Sequence, residues 1–311
     1  MLVHRLLTAI VVLLLVSVSI YLATQVLPGD AAQAILGREA TPERLAALRE
    51  RLHLHGDPVA QYFFWLASVI RLDFGVSLAT GAPVAELLAP KIGNSLVLMA
   101  IATFVGVPFS LLVGIVTACR RDGQLDSVVT VFSLVITALP EFVVGMLLVI
   151  VFATTVWTVL PASSTASPVL AYPVQLILPS LTLVIAIAPY IMRMTQATMI
   201  EVLESDYVQH ARLSGVREST VVLRHALINI VGTVSQVIAL QMAYLAGGVV
   251  VVEYVFGFPG IGTALVDAVS NRDLPVIQAI CLFITTFYIV INLLADAVTA
   301  IANPRVRYAN R

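Results

Sequence analysis

Apolar residues in this chain come in long runs rather than at the alternating or three-to-four spacing of half-buried strands and helices. Six runs, 6–27, 95–118, 128–156, 176–198, 226–253 and 276–302, each reach the roughly 20 residues a helix needs to cross a hydrocarbon core of ~30 Å. Their interiors are nearly free of charge, with Glu141, Arg193 and Asp296 as exceptions. The pattern predicts an all-α integral membrane protein with about six transmembrane helices. The first run follows Met-Leu-Val-His-Arg, the basic flank of a signal peptide, but it is longer than a signal core and lacks a small-x-small cleavage site. It reads as a retained first helix.

The polar segments between the runs divide the chain into a first helix at 1–27, an external subdomain at 28–94 and a five-helix core at 95–311. In the subdomain, Thr41-Pro42-Glu43-Arg44 reads as an N-cap with proline at the first helical position, and Leu45, Leu48 and Leu52 follow at helical spacing. Gly56-Asp57-Pro58 breaks that helix. Residues 59–71 resume as an amphipathic, aromatic-rich helix with Tyr62, Phe63, Phe64 and Trp65, suited to a membrane interface. Pro108, Pro140, Pro179 and Pro189 punctuate the membrane runs, and each removes a hydrogen bond and bends its helix.

Composition sharpens this picture. Of 311 residues, 59% are hydrophobic and only 11% charged, where a soluble domain carries roughly 25% charged residues. The lipid bilayer is the solvent that suits such a chain. The net charge of −1 and the lack of a large basic patch exclude nucleic acid as a partner. Arg120 and Arg121 after the second run, and Arg305, Arg307 and Arg311 in the tail, place both termini and the 119–127 and 199–225 segments in the cytoplasm by the positive-inside rule. Segments 28–94 and 254–275 then lie outside. Cys119 and Cys281 lack a CxxC neighbour and read as small buried residues, and His53 and His55 read as solvated, because i and i+2 side chains diverge on a helix. Neither pair implies a metal, and no cofactor is expected in this chain.

The 199–225 segment is too polar to span the bilayer yet has a helical pattern, with Leu203, Tyr207, Ala211 and Leu213 near one side. Ser205 is the expected cap and Gly215 the expected stop, and small Ala211 would let a soluble partner approach. The residues Asp206-Tyr207-Val208-Gln209-His210-Ala211-Arg212-Leu213-Ser214-Gly215 resemble the EAA loop of bacterial ABC-importer permeases, in the form typical of the dipeptide, oligopeptide and nickel family. The resemblance covers essentially the whole chain. It includes Pro28-Gly29-Asp30, Gln61-Tyr62 with Trp65, Leu72-Asp73-Phe74-Gly75-Val76-Ser77 of the B-type half, and Leu178-Pro179-Ser180-Leu181. Leu223-Arg224-His225-Ala226-Leu227-Ile228-Asn229, Glu253-Tyr254-Val255-Phe256-Gly257-Phe258-Pro259-Gly260, Asn271-Arg272-Asp273-Leu274-Pro275, Asn292-Leu293-Leu294-Ala295-Asp296 and Asn303-Pro304-Arg305 continue it. Gln209 and His210 replace the first two residues of the general triplet, Thr233 stands where many relatives have proline, and Asn303 where most have aspartate.

The resemblance implies a permease subunit of the bacterial plasma (inner) membrane, paired with a homologous second permease and served by two cytoplasmic ATPases and an extracytoplasmic solute-binding protein. It implies that Glu201, Glu204, Asp206, Tyr207, Gln209, His210, Ala211, Arg212 and Gly215 couple to the ATPases. The chain has no Gly-Lys-Ser/Thr phosphate loop, so ATP hydrolysis is assigned to the partners and no catalytic residue is expected here. Peptides are the expected cargo, with nickel, metallophores or glutathione as alternatives. Glu141 and Asp296 are the candidates for the translocation path, since an ionisable group at membrane depth is costly. Arg193 reads as structural, His210 and His225 as docking or helix-end residues, and Gly247-Gly248 as a close-packing pair. A self-sufficient channel or secondary transporter would need mid-membrane polar groups in several helices, and an intramembrane enzyme a catalytic constellation at depth.

Overall fold

The computed structural model describes residues 2–26, 41 and 58–302. The turn at Pro28-Gly29-Asp30, the helix expected from Pro42 through Leu52, His53 and His55, and the tail from Asn303 lie outside the described residues. All regular elements described are helices: α1 (Leu2–Val26), α2 (Pro58–Ile70), α3 (Val84–Cys119), α4 (Gln124–Thr137), α5 (Glu141–Val149), α6 (Val174–Leu203), α7 (Asp206–Leu213), α8 (Glu218–Phe256), α9 (Ile261–Ser270) and α10 (Leu274–Ala302). Four continuous helices, α3, α6, α8 and α10, are long and apolar enough to cross a membrane, and α4 with α5 makes a fifth if the bent pair is one span. α1 is helical over 25 residues, about 38 Å at 1.5 Å per residue, with an apolar stretch at Leu7–Ala23.

The third run is interrupted at the proline expected to bend it. It breaks before Pro140, and the two halves meet at 104°. Proline has no N–H to continue the α4 ladder; instead the Leu139 N–H closes the turn on the Ile136 carbonyl at 3.0 Å. Pro179 and Pro189 sit inside the continuous α6. The Gln175 carbonyl, freed by Pro179, accepts a hydrogen bond from the Ser164 hydroxyl at 2.6 Å, so the break is repaired by a loop side chain.

The described residues of 1–95 with 259–286 form one compact unit, and those of 96–258 with 287–302 another. In the first, α2 lies against α1 through Tyr62, whose hydroxyl is 2.8 Å from that of Ser17, and through Trp65, which packs on Tyr21. Phe63 and Phe64 turn the other way and are exposed. The start of α3 packs against α9 and α10 through Val84, Leu88, Ile261, Ala264 and Ile280. Asp273, only 3% exposed, accepts hydrogen bonds from the Ser77 hydroxyl and, at 3.0 Å, the Leu78 N–H, which ties the 77–80 loop to the start of α10.

In the second unit, close helix crossing depends on glycines other than those the sequence singles out. A β-carbon at Gly247 would have nothing within 4 Å, and one at Gly248 would make an ordinary contact with Glu141. At Gly114 of α3 it would lie 2.7 Å from the Met192 carbonyl oxygen of α6. Gly114 is therefore where backbones meet, whereas the Gly247-Gly248 pair makes no close backbone contact.

Candidate functional site

α7 is eight residues long and held at both ends by backbone geometry. Ser205 occupies the N-cap position, with its carbonyl accepting from the Val208 and Gln209 N–H groups at 3.1 Å. Its hydroxyl does not cap the helix as expected. It turns back and donates to the Val202 carbonyl, closing the end of α6 instead. At the other end the Gly215 N–H bonds the Arg212 carbonyl at 2.9 Å and the Val216 N–H bonds the Ala211 carbonyl at 3.2 Å. That paired closure is the Schellman arrangement, and it needs the left-handed backbone that Gly215 supplies at φ 79°. The expected stop is thus at Gly215.

The buried face of α7 differs from the sequence reading. Val208 is fully buried in a cluster with Met199, Leu203, Val221, Ala226 and Ile230, and Ala211 packs against that cluster. Leu213 lies about 200° around the helix from Ala211 and is 86% exposed; Tyr207 is 46% exposed. Ala211 therefore faces the protein's own interior, and the open face carries Asp206, Tyr207, Gln209, His210 and Leu213. Glu201, Glu204 and Gly215 are exposed beside it.

Polar contacts fasten this helix to its surroundings. Arg212 donates to both carboxylate oxygens of Glu218 at 2.6 and 3.1 Å and reaches the Leu203 carbonyl at 3.4 Å, joining α7 to the ends of α8 and α6. The Arg212 hydrogen bonds hold the Glu218 carboxyl below the usual glutamate range, and the same bonds raise Arg212. Arg121, after α3, pairs with Glu204. Asn229 of α8 donates to the Tyr207 hydroxyl at 2.9 Å and to the His225 carbonyl at 2.6 Å. His210 places Nδ1 2.8 Å from the Asp206 carbonyl oxygen, a local contact within α7. Glu218 closes the segment expected to couple, whereas Arg121 and Asn229 lie outside it, on segments that only the fold brings beside it.

The membrane candidates lie elsewhere. Glu141 begins α5, immediately after the break, and its carboxylate accepts a hydrogen bond from the Tyr244 hydroxyl of α8. Asp296 is half-buried on α10, and Arg193 is exposed on α6. Among the described residues, no group of three or more His, Cys, Asp or Glu could hold a metal ion.

Comparison with known proteins places these features in a family. Residues 110–308 match the model of the binding-protein-dependent transport system inner membrane component, and residues 1–99 match the N-terminal model of the same membrane component. The chain is similar to the probable peptide ABC transporter permease protein y4tP of Sinorhizobium fredii, at 37% identity over 98% of each chain. It is similar to the glutathione transport system permease protein GsiC of Pectobacterium atrosepticum, at 38% identity over 98% of each chain. The Escherichia coli K12 protein of the same name is 37% identical, again over 98% of both.

Proposed function

The chain belongs to the family of binding-protein-dependent transport system inner membrane components, and from that membership we propose that it moves short peptides, glutathione among them, into the cytoplasm. It is a permease subunit of an ATP-binding-cassette importer. The partners in this reading are a homologous second permease, two cytoplasmic ATPases and an extracytoplasmic binding protein. Both termini and α7 face the cytoplasm, where Arg120 and Arg121 lie in the short loop before α4.

The observation that carries the coupling role is the geometry of α7. A short helix locked from below by Val208 and at its end by Gly215 presents Leu213, flanked by Gln209 and His210, to an outside surface. Such a helix suits a groove on a soluble partner. It can transmit closure because its Arg212–Glu218 and Tyr207–Asn229 contacts end on α8, so displacement of α7 biases a membrane helix.

Leu213→Asp in the assembled transporter tests this. The substitution leaves the buried anchor intact, so the subunit should still insert and accumulate. ATP-driven uptake and cargo-stimulated ATP hydrolysis should fall at least about tenfold, the loss of one well-packed contact of ~1.4 kcal/mol. Wild-type values for both would show that α7 is not the coupling element.

A further inference from the structure

Beyond Asn229, which contacts the coupling helix, the transmembrane helix α8 carries further exposed polar residues along the same side. Asn229, Thr233, Gln236, Tyr244 and Tyr254 are all exposed, and at roughly 100° per residue they fall within an arc of about 80°. The same arc also carries exposed Leu240, Gly247 and Val251, so this face of α8 is mixed, with its polar groups spaced among apolar ones. Ile228 and Val231 on other sides are apolar and suit lipid. Polar groups at membrane depth face a watered or protein-lined space rather than hydrocarbon. This face begins at Asn229, beside Tyr207 of α7, and passes the point where α5 meets α8.

At that point stands the Glu141–Tyr244 pair. Tyr244 lies 12 residues before Phe256 and 17 after Leu227, about 18 and 26 Å along the axis, so it is deep within the span. Glu141 follows the 14-residue α4, which carries the chain about 21 Å from the Arg120–Arg121 loop. The Tyr244 hydroxyl satisfies one carboxylate oxygen. The other, Oε1, lies over Gly248, 3.4 Å from where a β-carbon would stand. The start of α5 favours the ionised carboxylate, and an ionised carboxylate at membrane depth is costly without a counter-charge, which makes it a functional candidate for meeting a cation.

We propose that Glu141 and Tyr244 form a station for the ammonium group of the cargo as it crosses the membrane. The inference rests on the reading of the chain as an importer of short peptides, all of which carry a free amino terminus or its equivalent. Glu141 supplies the charge, Tyr244 orients the carboxylate, and Gln236, two turns away on the same face, offers amide hydrogen bonds to the peptide that follows.

The test uses the complete transporter, with its second permease, ATPases and binding protein, in proteoliposomes. Alanyl-alanine, trialanine and glutathione are each compared with their N-acetylated forms. The wild type should take up the free amines at least about tenfold faster, the scale of one charge-assisted hydrogen bond. Glu141→Gln should bring that ratio close to one, and Tyr244→Phe, which keeps the carboxylate, should lower it several-fold. A wild type indifferent to acetylation, or a Glu141→Gln transporter that keeps the full preference, would overturn the proposal. Loss of the other subunits from purified Glu141→Gln would also overturn it, by assigning the pair to a subunit interface. A wild type that takes up none of the six probes with ATP instead contradicts the peptide cargo itself.

Discussion

A methyl group at Gly114 would sit 2.7 Å from the Met192 carbonyl oxygen and 2.9 Å from the Thr195 β-carbon, and backbone cannot step aside as a flexible side chain can. Gly114→Ala is therefore expected to destabilise the second unit by about 1–3 kcal/mol, the range of overpacking. Gly232→Ala is its control: an added β-carbon there has nothing within 4 Å, and alanine is the better helix former, so it should be neutral or stabilising by up to ~1 kcal/mol. Thermal unfolding of the detergent-solubilised protein separates the two, and equal midpoints would refute the crossing at Gly114. At Gly215 the reason is different. Nothing crowds that position, but its φ of 79° is unfavourable for any residue with a β-carbon. Gly215→Val should cost ~1–2 kcal/mol locally, fray the end of α7 and reduce ATPase coupling while leaving the membrane helices folded. Amide hydrogen exchange confined to 211–217 would report it.

At the scale of elements, α7 depends on two anchors of unequal kind. Val208→Ala removes buried methyl groups and should destabilise by about 2 kcal/mol, read as a lower unfolding midpoint. The Arg212–Glu218 pair is largely exposed, with Glu218 60% open to solvent, and such pairs contribute ~0.2–1 kcal/mol. Its folded carboxyl lies below the ordinary glutamate range, so its contribution is complete above the unfolded pKa and disappears as pH falls through the lower folded value. Stability of Glu218→Gln relative to wild type should hence be constant from about pH 6 to 8 and converge with wild type only in acid. A gap that changed near neutrality would assign the linkage to another group. The existence of α7, and its stop at Gly215, were legible because a polar helical stretch bounded by glycine is a local signal. Its orientation was not. Leu203, Tyr207, Ala211 and Leu213 were grouped by rough spacing, whereas Val208, an unremarkable residue between polar neighbours, fixes the buried side.

Across the whole molecule, hydropathy was enough to read the fold class, because lipid demands long apolar helices and leaves few other ways to satisfy the backbone. A bend at Pro140 was legible from the proline, but its size of 104° was not; nor was the crossing at Gly114, since close approach belongs to two distant segments. Glu141 stood out in the sequence as a charge at depth, but its Tyr244 partner did not, because 103 residues separate them. On the proposed function, this chain transports only together with ATPase partners. Purification of the tagged chain from its native membrane in mild detergent, with mass spectrometry of whatever accompanies it, tests that claim most directly. A homologous permease, P-loop ATPase subunits and a solute-binding protein should co-purify. A chain that purified alone and transported in liposomes without ATP would contradict it and identify a self-sufficient channel or secondary transporter.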